Sequence, residues 1–153
     1  QDAHRMVVCP THPDRAWIQH HNGIFRSDNG GHDWTRLSAD PSAFGFAVAV
    51  HPREPDTAWF VPGVKDEQRF PVGGAMCVTR TRDGGKTFEA LRNGLPQEHA
   101  YHLVYRHALE VAGDGQTLAM GSTTGSVWIS EDSGDHWTRL SAELPPVYCL
   151  RFS

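Results

Sequence analysis

The sequence predicts an all-β fold, a β-propeller made of four-stranded antiparallel blades. An eight-residue pattern, Ser/Thr-x-Asp/Asn-x-Gly-x-x-aromatic, begins at residues 27, 81 and 130, so successive copies are 54 and 49 residues apart. That interval is close to the length of one four-stranded propeller blade. Fifteen glycines and ten prolines in 153 residues are typical of many short strands joined by turns. The repeat and the density of turns together argue against a helix bundle.

The repeated pattern, which we call the octet, has the composition of a tight hairpin corner. Its hydroxyl and carboxylate side chains accept backbone N–H groups within a turn, and its glycine permits a positive φ. We expect the aromatic residue to fold back into the apolar layer between sheets. The residues assigned this structural role are Ser27, Asn29, Gly31, Trp34, Thr81, Asp83, Gly85, Phe88, Ser130, Asp132, Gly134 and Trp137.

Three strands precede each octet, and a fourth carries its aromatic residue. The runs are short, rich in β-branched and aromatic residues, and bounded by Gly, Pro and Asp. The predicted first strands are 6–8, 46–50 and 108–111, the second 16–19, 58–61 and 117–120, the third 23–26, 76–80 and 126–129, and the fourth 34–37, 88–91 and 137–140. No segment shows the sustained 3.6-residue apolar period of a long helix.

These strands divide residues 1–153, a single propeller segment, into three blades and a tail. Blade 1 covers about 5–40, blade 2 about 44–93 and blade 3 about 101–143, and 147–152 is predicted to be an extra, closing strand. Three blades cannot close a ring, because propellers have about four to eight. The chain is then either a fragment of a six- or seven-bladed protein, or one half of a dimer that closes a six-bladed ring. We expect the homodimer, because a lone half-ring exposes sheet edges and apolar surface.

The octets resemble the Asp-box, or BNR repeat, of sialidase-like β-propellers, in a bacterial branch described as exo-α-sialidase or glycosyl-hydrolase-like BNR proteins. Flanking phrases such as Ile24–Asp28 and Asn93–Pro96 share the resemblance, which covers nearly the whole chain. It implies the fold more than the activity, since such boxes also occur in non-enzymatic propellers. Sialidase chemistry in the family uses an arginine triad, a Tyr nucleophile paired with Glu, and an Asp acid/base. By residue type alone, two members of the arginine triad could be Arg69 and Arg106. The Tyr–Glu pair could be Tyr101 or Tyr105 with Glu98 or Glu110, but no spacing supports any such pair.

Charge and cysteine content restrict the class of partner. The formal charge of −4 disfavours nucleic acid, which selects a basic excess. No apolar run reaches the roughly 18 residues of a membrane helix, so we expect no membrane insertion. Three cysteines without CxxC spacing predict neither a disulfide framework nor a zinc ribbon. Free thiols suit a reducing compartment, so we expect a cytoplasmic protein without a cofactor.

Functional residues are expected where the repeat is broken, on the face opposite the octets. The clearest break is the insertion at 63–75, either a lid over an axial pocket or a solvated loop, which contains Arg69. Arg106, like Arg69, has no repeat counterpart; it either binds a carboxylate bidentately or pairs with a carboxylate of a neighbouring blade. The six candidate ligand-binding residues are His20, Phe46, Arg69, Tyr101, His102 and Arg106.

The ten histidines do not predict a metal site. His20 and His21 are adjacent, so on a strand their side chains point to opposite faces and do not share an ion. His99 and His102 lack a helix that would align them. His12, in a His-Pro turn that His51 repeats, looks structural.

The resulting functional hypothesis is a binding module for a glycan or a protein ligand. The alternative is a sialidase-like glycoside hydrolase whose active site is completed by missing blades or a second chain. A third hypothesis is an assembly scaffold that binds another copy of itself. A hydrolase needs two carboxylates roughly 5–10 Å apart at the axis, and no catalytic residue is assigned from the sequence.

Overall fold

A computed structural model describes residues 2–153 and shows three four-stranded antiparallel sheets. Blade 1 has the order β1-β2-β3-β4, blade 2 the order β5-β6-β7-β8 and blade 3 the order β9-β10-β11-β12. The strands are β1 Ala3–Cys9, β2 His12–His20, β3 Gly23–Ser27, β4 Thr35–Leu37, β5 Gly45–Val50, β6 Ala58–Pro62, β7 Val78–Thr81, β8 Glu89–Leu91, β9 Leu109–Val111, β10 Leu118–Gly121, β11 Val127–Ser130 and β12 Thr138–Ser141. Among these residues no helix has the length and apolar composition needed to cross a membrane.

Each octet forms the corner between the third and fourth strands of its blade, as predicted. In blade 2 the Thr81 hydroxyl accepts the Gly85 N–H at 2.8 Å and donates to Asp83 at 3.0 Å. Asp83 Oδ1 accepts the Thr87 N–H at 2.9 Å, so one carboxylate spans the turn. The same hydroxyl-to-glycine bond is 2.8 Å long in the other two octets, from Gly31 to Ser27 and from Gly134 to Ser130.

The octet glycine is required by its backbone conformation and by a close neighbour. Gly85 has φ +86°, and a Cβ built on it would lie 2.4 Å from Cδ1 of Leu37 on the last strand of blade 1. Gly134 has φ +96°, and its Cβ would lie 2.9 Å from the equivalent Leu91 of blade 2. A side chain at either position would therefore strain the turn and push the neighbouring blade away.

The octet aromatic residues of blades 2 and 3 pack against the preceding blade. Phe88 of blade 2, which is partly buried, joins the apolar layer between blades 1 and 2, and Trp137 of blade 3, 1% exposed, joins the layer between blades 2 and 3. Trp34 of blade 1 is partly buried and belongs to neither layer. The expectation that every octet aromatic is a core residue is therefore wrong for Trp34.

Adjacent blades are also joined by paired donors. Trp17 Nε1 donates to Pro55 O at 3.0 Å, and the equivalent Trp59 Nε1 donates to Ser133 O at 2.8 Å. Arg80 Nη1 donates to the same Ser133 carbonyl at 2.7 Å. The equivalent Arg26 donates to the Gly84 carbonyl of the next octet. Arg26 and Arg80 thus connect one blade to the next.

The tail differs from its prediction. Residues 147–152 were expected to form a closing strand, but they make one parallel bridge, between His107 and Cys149, and no strand. The Leu150 N–H donates to the His107 carbonyl at 2.9 Å. The tail instead lies along the start of blade 3.

The insertion at 63–75 follows the second strand of blade 2, on the face opposite the octets. It begins with a tight turn closed by the bridge between Lys65 and Gln68 and ends with a 3-10 turn, Val72–Gly74. The Gly63 N–H donates to Phe44 O at 2.9 Å, so the base of the insertion is attached to the start of the same blade.

Candidate functional site

A pocket of about 440 Å³ lies on the face opposite the octets, where the first strands of the three blades begin. This position follows from the topology. In an up-and-down blade the first strand starts on the same face as the turn between strands two and three, so chain from all three blades converges there. The lining residues are Asp2, His4, His21, Phe46, Asp66, Arg69, Tyr105, Arg106 and Tyr148.

Phe46, at the start of β5, lies at the centre of this pocket. It is 2% exposed, and the His4 ring stacks on it with centroids 4.3 Å apart and planes at 17°. Tyr105 contacts it edge-on at 5.0 Å. The guanidinium carbons of Arg69 and Arg106 lie 5.3 Å and 6.0 Å from the Phe46 centroid, within cation–π range. One buried ring thus lies within cation–π range of two cationic side chains.

Each of the two arginines is paired with a carboxylate of the same pocket. Arg69 Nη2 lies 2.5 Å from Asp66 Oδ1, and Arg106 Nη2 lies 3.7 Å from Asp2 Oδ2. Hydrogen bonding, first to Tyr105 and then to Asp66, raises the pKa of Arg69, so its positive charge is permanent. Both arginine side chains remain 45% exposed.

His4 is the buried histidine of the site. Its Nδ1 lies 2.6 Å from the carbonyl oxygen of Gly45, which only accepts, so Nδ1 carries the proton. Burial lowers the pKa of His4, although the bond to Gly45 and the nearby Asp2 charge act in the opposite direction. The ring is therefore neutral near pH 7, with Nε2 as its free acceptor.

The structure brings three of the six predicted ligand-binding residues into this pocket: Phe46, Arg69 and Arg106. Arg106 pairs with Asp2 of blade 1, which matches the predicted role of pairing with a carboxylate of a neighbouring blade. Its other predicted role, binding a ligand carboxylate, stays a prediction.

The other three predicted residues lie outside the pocket. His20 ends β2 on the far side of the strand from His21; its Nδ1 accepts the Asn22 N–H at 3.0 Å and its ring meets Phe25 edge-on. Tyr101, 65% exposed, borders a neighbouring depression beside Phe70. His102 contacts Thr124 at 2.5 Å and packs edge-on against Trp128, and burial lowers its pKa. His102 therefore has a structural role within blade 3.

The remaining pocket residues were not among the predicted ligand-binding residues. His4 and His21 are far apart in sequence and meet across the end of the β1–β2 pair. The sequence offers no simple signal for this contact, because Asp2 precedes β1 and the strand has a bulge between Ala3 and Arg5. Tyr105 matched a nucleophile by residue type only, and Tyr148 carried no signal, because their segments are irregular and no period indicates which way a side chain points.

Comparisons with known proteins identify the fold. No protein-family model and no curated protein sequence matches the chain. Among solved structures it is similar to an ancestral GH74 enzyme, with 19% identity over 90% of this chain and a TM-score of 0.66. It is also similar to the GH74 xyloglucanase from Xanthomonas campestris, with 24% identity over 89% of this chain and a TM-score of 0.66. YCF48 bound to D1 peptide aligns over 93% of this chain with 16% identity and a TM-score of 0.62.

These neighbours are β-propellers, so the predicted fold is confirmed. The chain spans 18% and 20% of the two GH74 chains and 40% of the YCF48 chain. It therefore corresponds in length to a few blades of a larger ring. At these identities the likeness establishes the fold alone.

Proposed function

We propose that this propeller segment is a binding module whose pocket recognises a carboxylate on its ligand, in the first instance a protein segment. The observation that carries the proposal is the convergence of Arg69 and Arg106 over the buried Phe46 ring. Neither arginine has a counterpart in the other repeats. The resemblance of the octets to the Asp-box of sialidase-like propellers supports a ligand-binding role of the same general kind.

The geometry suits an anionic group with an apolar neighbour. A planar guanidinium binds carboxylate through parallel N–H donors, and a second guanidinium close by adds charge and fixes orientation. Their present partners, Asp66 and Asp2, lie at the rim and are themselves partly exposed, 34% and 67%. A ligand carboxylate therefore replaces exposed ion pairs, which contribute little to stability. The rings of Tyr105 and Tyr148 supply apolar surface beside it.

A protein segment is favoured over a glycan by the composition of the pocket. Among the described residues, its lining contains no Asn, Gln, Ser or Thr side chain to read a pattern of sugar hydroxyls. It contains three aromatic and two guanidinium groups instead, the residue types that dominate peptide-binding and protein-binding surfaces. One structural neighbour, YCF48, was solved with a bound peptide.

Glycoside hydrolysis is the second candidate, because the same pocket contains two carboxylates, Asp2 and Asp66. A general acid needs an apolar enclosure that keeps it protonated near neutral pH. Asp2 is 67% exposed, and each carboxylate faces an arginine. This arrangement suits binding better than proton transfer.

The proposal is tested by calorimetry with N-acetylphenylalanine, which has a free carboxylate and one ring, and with its amide as the neutral analogue. We expect the acid to bind and the amide to bind at least about tenfold more weakly, since a charge-assisted hydrogen bond contributes about 1.5–3 kcal/mol. Arg69→Gln should weaken acid binding by a similar factor without altering thermal stability. The matched control is Arg82→Gln, an exposed arginine in the second octet on the opposite face.

Equal binding of the acid and the amide, or equal loss in Arg69→Gln and Arg82→Gln, would refute carboxylate recognition. N-acetylneuraminic acid and an aryl sialoside provide the glycan arm. If the protein hydrolyses the sialoside and Asp66→Asn abolishes this activity, the result would favour the glycoside hydrolase over the binding module.

A further inference from the structure

One wall of the pocket gathers three metal-binding side chains from the first two strands. We propose that Asp2, His4 and His21 bind a divalent transition metal ion of the zinc class. One donor atom from each residue lies within 4.8 Å of the donor atoms of the other two. Within residues 2–153 no other set of three or more His, Cys, Asp or Glu side chains meets so closely. The inference goes beyond the proposed function and does not depend on it.

The backbone holds these three residues in position. Asp2 lies just before β1, and His4 lies in β1 at the bulge between Ala3 and Arg5. The His21 N–H donates to the Asp2 carbonyl at 3.1 Å, which extends the β1–β2 pairing past the end of β2 and places His21 opposite them. The rings of His4 and His21 are 5.8 Å apart at an interplanar angle of 79°. Small side-chain rotations are enough to bring the donors around one ion.

His4 is already in the tautomer that a metal requires. Its Nδ1–H donates to the Gly45 carbonyl at 2.6 Å, and it is 6% exposed. A metal-binding histidine characteristically donates its second N–H to a backbone carbonyl or a carboxylate, which fixes the ring and leaves the other nitrogen as the ligand. The Gly45 bond therefore leaves Nε2 as the nitrogen available to bind a metal.

The set of donors indicates the class of ion. Two imidazoles and one carboxylate match zinc and related first-row ions, whereas Mg²⁺ and Ca²⁺ prefer oxygen ligands alone. Three protein ligands leave a coordination position open toward the pocket. Asp2 Oδ2 faces Arg106 at 3.7 Å, which leaves its other oxygen for the metal.

The experiment measures Zn²⁺ binding alone, by calorimetry, and Co²⁺ binding by visible absorption, on the full chain in a Cys149→Ser background that removes the exposed thiol. We expect one ion per chain and the intense d–d bands of a four- or five-coordinate Co²⁺ site. His21→Ala should weaken Zn²⁺ binding by about tenfold or more and abolish those bands, because even supporting residues of metal sites change affinity about 10–100-fold.

The adjacent residue supplies the matched control. His20→Ala removes an imidazole one position away that faces Phe25 rather than the pocket, and it should leave the affinity and the Co²⁺ spectrum unchanged. His21 is only partly buried, so the metal-free His21→Ala protein should unfold at the wild-type temperature. Asp2→Asn provides a second variant that does not touch the core.

The proposal fails if the wild-type chain binds no stoichiometric Zn²⁺, or if His21→Ala and His20→Ala bind it equally. Because no organic ligand is present, this result is independent of carboxylate recognition. A protein that binds Zn²⁺ but not N-acetylphenylalanine supports the metal site and refutes the proposed function; the reverse result refutes the metal site alone.

Discussion

At the scale of single residues, the octet carboxylates show how one charged side chain stabilises a turn. Asp83 accepts the Thr87 N–H at 2.9 Å and the Thr87 hydroxyl at 2.7 Å. These bonds, the backbone one first, lower the pKa of Asp83 to about 2. At Asp132 burial is the largest influence and raises the pKa, but the bonds from His136 and Ser130 outweigh it and the net pKa is lowered. In the first octet Asn29 makes the equivalent backbone bond without a charge.

The lowered pKa of Asp83 predicts a pH dependence of stability. A carboxylate whose pKa is depressed on folding stabilises the protein above its unfolded pKa, and this contribution is lost as the pH falls toward the folded value. We expect stability to decline from about pH 4 to about pH 2 as Asp83 is protonated. Asp83→Asn should be less stable than wild type near pH 7 and should lose less of its stability on acidification. Urea unfolding across this pH range measures both effects.

Glu131→Gln is the control for that measurement. Glu131 is exposed in the third octet and has no hydrogen-bond or ion-pair partner among the described residues. Its variant should follow the wild-type curve at every pH. If the free energy of unfolding of Asp83→Asn falls with pH as steeply as that of wild type, the Asp83 carboxylate does not stabilise the turn.

At the scale of elements, the octet aromatic residues offer a matched pair. Trp137 is 1% exposed between blades 2 and 3, whereas Trp34 is partly buried on the outer side of blade 1. Trp137→Ala should destabilise the chain by about 3–5 kcal/mol, the range for truncation of a buried aromatic residue. Trp34→Ala should cost clearly less, because its ring is only partly buried and belongs to neither apolar layer. Equal losses in chemical denaturation would contradict the rule that each octet packs on the preceding blade.

The sequence predicted the existence and order of the elements better than their ends. The octets locate the corner between the third and fourth strands of every blade, because a hydroxyl, a carboxylate and a glycine at fixed spacing form that turn by local hydrogen bonds alone. β1 and β2 extend beyond their predicted limits because pairing between the two strands continues through polar residues such as Arg5 and His20. The tail at 147–152 has the composition of a strand but lacks a partner. Residue propensities do not show whether a segment will find a neighbouring strand to pair with.

At the scale of the whole molecule, the two ends of the blade stack expose apolar side chains. On β1 Met6 is 57% and Val8 42% exposed, and on β12 Leu140 is 62% exposed. Such faces promote association when nothing covers them. The third blade also lacks the donors of the other two: Ala119 and Ile129 occupy the positions of Trp59 and Arg80. The two-copy ring therefore stays a prediction, and its junction would lack the Trp and Arg hydrogen bonds that join the blades within the chain.

Association through these faces predicts a mass above 17.0 kDa that rises with concentration in light scattering. A combined Met6→Lys and Val8→Lys variant should lower that mass, because the added charges oppose burial of the β1 face. A constant dimer mass in wild type that the variant abolishes supports the closed ring. A monomer at every concentration would contradict association.

Three of the nine residues that line the candidate site were predicted from the sequence. Arg69 and Arg106 are identified because they break a repeat, and Phe46 because it opens an innermost strand. His4 and His21 come together only through the cross-strand register of β1 and β2, which a repeat alignment does not contain. His20, Tyr101 and His102 have the right residue types near the right face, but side-chain direction in irregular segments follows from packing that the sequence does not reveal.

The central claim is that Arg69 and Arg106 receive a ligand carboxylate over Phe46. An NMR titration of the arginine Nε–Hε resonances with N-acetylphenylalanine tests it most directly. The account predicts saturable shifts of the Arg69 and Arg106 signals, with Arg26 and Arg80 unmoved because both contact the octet of the next blade, away from the pocket. Unmoved Arg69 and Arg106 signals at saturating probe, or shifts of the same size at arginines of the octet face, would contradict it.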